Sequence, residues 1–239
     1  MKRGIIMSRY QLKKEAKDLL NGNFVFFLLL FLPVFVIELI AEGANFKSDN
    51  VNVQVVDPSV SSIWGSWDTI GLFSSLLAGF LIVGISYVLV DLFRESQTFS
   101  DPLKKSFTIV SRGDYFIGSI LISLLSFVWI FLWTFLLLVP GIIKSLAYSQ
   151  AYYIYRDAID QQQSISCRDA ISKSRALMNG HKWEYFMLQL SFIGWGLLIM
   201  VTFGIAAIWV QPYYHLTMAN YYRHLVATST EKSRLETAN

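Results

Sequence analysis

Two long stretches of this chain are almost free of charge, and they constrain the fold more than any other feature. Tyr115 to Tyr155 carries one charged residue, Lys144, and Tyr185 to Tyr222 carries no Lys, Arg, Asp or Glu. A single helix over about 40 residues would be about 60 Å long, twice the ~30 Å hydrocarbon core of a bilayer. Each stretch must therefore fold back on itself as a pair of spans. Val139-Pro140-Gly141 supplies the first break, since proline cannot donate within a helix and glycine permits a turn. The second break falls between Gly204 and Pro212.

Two shorter apolar runs precede these pairs. Phe24 to Ala41 is apolar apart from Glu38, and Ile70 to Val90 contains no charged residue. The expectation is an all-α, polytopic membrane protein forming a single membrane domain over 1–239. Its six spans lie at about 24–41, 70–93, 115–138, 141–157, 185–204 and 209–225. Run length favours helices over a barrel, whose strands alternate over only about 10 residues. Composition agrees. Only 15% of residues are charged and 54% are hydrophobic, against about 25% charged in soluble domains. The mean hydropathy is +0.45.

All of the 20 Lys and Arg except Lys47 and Lys144 fall before span one, between spans two and three, at the end of span four or between it and span five, or at the end of span six and beyond it. The positive-inside rule then places both termini in the cytoplasm. Residues 42–69 become an acidic external loop and 226–239 a cytoplasmic tail. No small-residue cleavage site follows the first apolar run, so it reads as an uncleaved span. Met7 offers an alternative start to Met1. The single cysteine, Cys167, excludes an intramolecular disulfide.

A pattern recurs ahead of the odd-numbered spans. Leu12-Lys13-Lys14 leads through Asn21-Gly22-Asn23 into Phe24, Leu103-Lys104-Lys105 through Arg112-Gly113-Asp114 into Tyr115, and Ile171-Ser172-Lys173 through Asn179-Gly180-His181 into Trp183 and Tyr185. Each reads as a short basic amphipathic helix at the membrane surface, at 10–22, 100–112 and 166–179. Leu12, Ala16, Leu19 and Leu20 form one helical face, and Leu103, Phe107 and Val110 another. Ser166-Cys167-Arg168-Asp169 has capping-box spacing. Three units of one surface helix plus two spans would all share one orientation. Any basic helix ahead of a span carries the same features, so the pattern leaves repetition open.

Longer motifs occupy the second half: Val139-Pro140-Gly141-Ile142-Ile143-Lys144, Tyr148-Ser149-Gln150, Ala170-Ile171-Ser172-Lys173-Ser174, Asn179-Gly180-His181-Lys182-Trp183 and Leu190-Ser191-Phe192-Ile193-Gly194-Trp195, followed by Pro212-Tyr213. Through these the chain resembles an uncharacterised family of Gram-positive bacterial membrane proteins, a domain of unknown function. The resemblance runs from about Leu12 to Tyr222 and leaves out 42–69. It implies a bacterial plasma-membrane protein of this helical architecture, and it carries over no catalytic residues.

Ionisable groups inside spans are functional candidates by default. Glu38, Lys144, Gln211 and His215 all fall near the external ends of their spans and form a candidate outer-leaflet polar cleft. Lys144 either snorkels to the interface, holds an anionic headgroup or pairs with Glu38. Gln150, Gln189 and Asn220 lie deeper and read as amides packing helix against helix. Asp91, Arg94 and Glu95 at the end of span two, and Arg156, Asp157 and Asp160 at the end of span four, read as interfacial ion pairs. Lys13, Lys14, Lys17, Lys104, Lys105, Lys173 and Arg175 are the expected contacts to anionic lipid.

No Walker loop, GxSxG elbow, HExxH or dinucleotide fingerprint occurs. Neither a metal site nor a cofactor is implied, and no soluble basic domain is present to bind nucleic acid. The expected partners are membrane lipids, with a protein partner or a second copy of the chain as further candidates. The leading function is non-enzymatic binding or transport of a lipid or amphipathic compound. The alternative is an accessory or scaffold subunit of an envelope complex. An enzyme using His215 or Glu38 as acid or base ranks last, because the two do not by themselves make a site.

Overall fold

The structure is a computed structural model and describes residues 8–51, 66–94, 99–111, 113–136 and 138–237. Helix is the only regular structure among these residues. In chain order the helices are α1 (Arg9–Gly22), α2 (Phe24–Val51), α3 (Ser66–Arg94), α4 (Pro102–Ser106), α5 (Thr108–Ser111), α6 (Gly113–Leu136), α7 (Leu138–Tyr148), α8 (Ala151–Asp160), α9 (Cys167–Leu177), α10 (Lys182–Leu190), α11 (Ile193–Val201) and α12 (Ala207–Thr237).

The long helices pair as hairpins. α2 packs on α3, and α6 packs on α7 and its continuation α8. The third hairpin sets α10–α11 against α12 through ring contacts in antiparallel order: Tyr185 on Tyr221, Phe192 on Tyr213 and Trp195 on Trp209. Among the described residues four stretches are long and apolar enough to cross a membrane, namely Phe24–Gly43, Ile70–Arg94, Gly113–Leu132 and Lys182–Val201. Large side chains on these stretches point outward, among them Phe73, Phe127 and Met200, at 70%, 65% and 76% exposure. Such a surface belongs in lipid rather than water. The fold is all-α and polytopic. The remaining two segments read as spans do not reach the same length and hydropathy. α7 and α8 are separated by a turn at Ser149-Gln150, and α12 carries the polar residues that the other helices surround.

α12 is the axis of the bundle. Tyr213, Leu216, Thr217, Ala219, Asn220, Tyr221, Tyr222 and Leu225 are all buried along it. This explains its low hydropathy: a helix enclosed by other helices faces polar partners rather than acyl chains.

The short basic helices do not lie apart on the surface. α4 and α5 dock on the α2–α3 hairpin that precedes them, and α9 docks on the preceding α6–α8 hairpin. α1 follows no hairpin among the described residues and packs on α12. Each unit is thus a hairpin plus the short helix that follows it, and α1 closes the cycle. Where each short helix crosses its hairpin it buries a small residue completely: Ala16, Ser106 and Ser174.

Several boundaries differ from the sequence expectation. α6 ends at Leu136 and α7 begins at Leu138, so Pro140 and Gly141 occupy the first turn of α7, where a missing N–H costs nothing. Gly141 instead serves close approach, since a Cβ there would lie 2.9 Å from Thr134 Cα on α6. The later break falls at 202–206, where Phe203 and Gly204 adopt φ of 49° and 87°, and Pro212 lies inside α12. The expected loop at 42–69 is helical at both ends, through Val51 and from Ser66, and 52–65 lies outside the described residues. The expected tail at 226–239 continues α12 to Thr237. Leu103, Phe107 and Val110 face outward, and Ser106 and Ile109 face in. An apolar stripe marks the core only when the solvent is water.

Gly141→Ala should destabilise the protein by about 1–3 kcal/mol, as overpacking does, lowering the thermal midpoint in detergent. Gly194→Ala, which would place its Cβ in open space, should leave that midpoint unchanged.

Candidate functional site

Kinked helices in lipid leave backbone carbonyls without donors, so the kinks are the places to look for purposeful side chains. Pro33 lacks the N–H that the Leu29 carbonyl would accept, and the neighbouring Leu30 carbonyl takes the Ser106 hydroxyl at 2.6 Å. At the α7–α8 turn the Ala147 carbonyl accepts the Ser174 hydroxyl at 2.7 Å, and Ser174 Oγ accepts the Gln150 N–H at 3.3 Å. At the α10–α11 turn the Ser191 carbonyl accepts Lys13 Nζ at 3.1 Å, and the same ammonium lies 4.1 Å from the Phe192 ring centre. Every one of these side-chain donors comes from a short basic helix.

One end of the bundle is held by an ionic network. Arg94 on α3 binds Asp157 on α8 through both terminal nitrogens at 2.7 Å, and Tyr222 on α12 donates to the same carboxylate at 2.6 Å. Arg156 pairs with Asp91, and its Nε lies 2.9 Å from Asp160 Oδ2. Tyr115 on α6 donates to Asp160. Residues expected as separate pairs at two span ends thus form one cluster spanning all three hairpins. A second cluster ties α1 to α12 and α3. Arg223 reaches Glu15 at 3.0 Å and the Phe93 carbonyl at 2.9 Å, and Asn220 donates to the Leu12 carbonyl and to Glu15.

The expected outer cleft is only partly assembled. Gln211 on α12 donates to Glu38 on α2 at 3.1 Å, and one turn along α12 the His215 ring packs on Phe31, 5.7 Å between centres. The side-chain oxygen of Gln211 is buried, with no hydrogen-bond partner among the described residues. Lys144 does not join this group. The charges of Arg175 and Lys182 act on it, while Glu38 accepts from Gln211. The physical reason is the α7 geometry: Ala147, one turn beyond Lys144, is where α9 crosses.

The deeper amides are buried or half-buried. Gln150 donates to Ser149 Oγ at 2.8 Å, Asn220 bridges α12 to α1, and Gln189 lies beside the Tyr214 hydroxyl. Among the expected lipid contacts, Lys14, Lys17, Lys104, Lys173 and Arg175 are exposed. Lys105 lies over the Phe26 ring and Lys13 is engaged at Ser191. Lys173 also lines an open groove of about 460 Å³ with Asp157, Gln161, Gln163 and Tyr222. Among the described residues no group of His, Cys, Asp and Glu is placed to hold a metal ion.

The hydroxyls of Ser106 and Ser174 escaped the sequence reading. A signal was present: both follow the motif lysine directly, in Leu-Lys-Lys-Ser and Ile-Ser-Lys-Ser.

Hairpins that expose apolar side chains outward while meeting their own backbone demands from within define a polytopic α-helical membrane protein. The family described as protein of unknown function (DUF975) matches residues 6–147 and 136–229, and the chain belongs to that family. No curated protein and no solved structure matches it.

Replacing Asp157 by Asn removes a charged partner shared by Arg94 and Tyr222. Thermal unfolding in detergent should show a loss of about 1.5–3 kcal/mol, the range for hydrogen bonds to charged groups. Asp169→Asn, at an exposed position of α9, should cost far less.

Proposed function

We propose that this is a non-enzymatic protein of the bacterial plasma membrane that binds or moves a lipid or another amphipathic compound. Six crossings with both termini in the cytoplasm accompany this reading, α7–α8 and α12 being the fourth and sixth. The observation that carries it is the Glu38–Gln211 contact between α2 and α12. A carboxylate inside an apolar run is expensive unless it has a use, and Gln211 retains a buried acceptor oxygen. An amine or hydroxyl headgroup would complete that set. His215, packed on Phe31 one turn away, gives the same site an aromatic wall.

Reconstituted protein should accelerate the exchange of a headgroup-labelled phospholipid between leaflets, read by quenching from outside the vesicle. Glu38→Gln combined with Gln211→Leu should slow that exchange by roughly tenfold, equivalent to about 1.4 kcal/mol. Equal rates for wild type and double variant would remove the cleft from consideration.

A second reading, an accessory subunit, is favoured by α12. Its buried stretch ends at Leu225, yet the helix continues to Thr237, and Ala227, Ser229, Thr230, Glu231 and Arg234 are exposed along it. About 12 residues at 1.5 Å each offer ~18 Å of helix to a protein partner or a second copy. Protein that moves no lipid but is recovered with another polypeptide would support this alternative.

Orientation can be read from Cys167, the single cysteine of the chain. A membrane-impermeant maleimide should label it in inside-out vesicles and not in intact cells. Burial pushes the thiol pKa above its ordinary value, so less thiolate exists at neutral pH and labelling should speed up as the pH rises.

A further inference from the structure

Helix α1 buries Leu12, Ala16 and Leu20 and packs on α12. Two hydrogen bonds set the alignment of the pair. The Asn220 amide donates to the Leu12 carbonyl at 3.2 Å, and the Trp209 indole donates to Asn21 Oδ1 at 3.2 Å. At 1.5 Å per residue, Leu12 to Asn21 is about 14 Å of helix and Trp209 to Asn220 about 17 Å. With both ends tied and the lengths nearly equal, α1 runs alongside α12 in the opposite direction rather than across it.

With α12 as the sixth crossing, α1 lies at membrane depth rather than on the surface. Lys14, Lys17, Asp18 and Asn21 are all exposed, and 3.6 residues per turn puts them on the side of α1 opposite Leu12, Ala16 and Leu20. Hydrocarbon cannot face two ammonium groups and a carboxylate, and charges held at such depth mark a polar path. The path leads somewhere. Asn21 meets Trp209, and two residues along α12 from Trp209 is Gln211, which donates to Glu38. The charges also select what travels. Lys14 and Lys17, one turn apart, offer ammonium groups to a phosphate. Asp18, one turn from Lys14, offsets part of that charge, so an anion is held without being trapped.

We propose that the outward face of α1 is a track for the phosphate of a phospholipid headgroup, which passes along Lys14 and Lys17 to the Glu38–Gln211 cleft while its acyl chains stay in the surrounding lipid. The track rests on the lipid-moving reading of that cleft, and gives it a route and a headgroup chemistry.

Two measurements on the full chain in liposomes test it. With Cys167→Ser as background, Lys17→Cys would carry a fluorescent thiol label. In a polar track at membrane depth the label is quenched both by iodide from the water and by phospholipids brominated midway along their acyl chains. Quenching by iodide alone would place α1 on the surface, and quenching by brominated lipid alone would place its outward face out of reach of water. Either result overturns the track. The second measurement is exchange of acyl-labelled phosphatidylethanolamine between leaflets. Lys14→Gln and Lys17→Gln should each slow it about five-fold, the change expected per basic residue near a membrane surface. Both side chains are exposed, so the thermal midpoint should stay the same. Lys104→Gln, exposed on α4, should leave exchange as it is. Equal slowing in Lys104→Gln would assign the effect to diffuse surface charge and overturn the track. Wild-type rates in Lys14→Gln combined with Lys17→Gln, beside slow exchange in Glu38→Gln combined with Gln211→Leu, would overturn the track and leave the cleft standing. No exchange by the wild-type protein would overturn both.

Discussion

The constraint on which this structure depends is that hydrocarbon offers no hydrogen bonds to a carbonyl. A straight apolar helix meets that constraint by itself. α2 is interrupted by Pro33 and the α7–α8 and α10–α11 segments by turns, and at such points backbone acceptors need donors from outside the helix. Ser174 and Lys13 supply such donors at the two turns, from α9 and α1, and Ser106 of α4 donates to the carbonyl of Leu30, next to the one that Pro33 leaves open. The short helices are therefore structural parts of the bends. Two use a hydroxyl, which adds no charge, and the third uses an ammonium whose cost is offset by a carbonyl and a ring face.

The ionic network at the end of the bundle works on a different scale. Backbone repair is local to each hairpin, whereas the Arg94–Asp157–Tyr222 contact fastens α3, α8 and α12 together, and Tyr115 adds α6 through Asp160. A bidentate arginine fixes orientation as well as distance, so the hairpins are held in register where they meet. Towards the other end the contacts are mostly aromatic, with Trp195, Trp209 and Tyr213 packed on one another, and ring contacts tolerate sliding better than a two-point ion pair. One end of the bundle is thus chemically more rigid than the other.

Much of the architecture was legible beforehand because lipid leaves a coarse signature. Lengths of apolar sequence pointed to the hairpins, and the Ser166–Asp169 spacing anticipated the cap of α9, where Ser166 Oγ accepts the Asp169 N–H. The face Leu12, Ala16 and Leu20 on α1 is buried, as its period implies. What the periodicity missed is which neighbour each face meets. Leu103, Phe107 and Val110 satisfy the same helical rule and point the other way, because beside lipid an apolar stripe is as much at home outside the bundle as within it. Of the candidate cleft, Glu38 meets Gln211 but Lys144 belongs elsewhere. Depth along a span could be counted from the chain, whereas the azimuth of Lys144 depended on where α9 crosses.

The docking of α1 has a temporal side. Its contacts with α12 join residues as far as 208 positions apart, as in the Asn220–Leu12 hydrogen bond. Synthesis delivers the N-terminal helix first, so α1 must wait through the insertion of every hairpin before the surface it fits exists. During that wait its buried face and Lys13 have only water or headgroups for company. The ring closes when α12 arrives and α1 docks on it. Completion of α12 is thus what gives α1 the surface on which it docks.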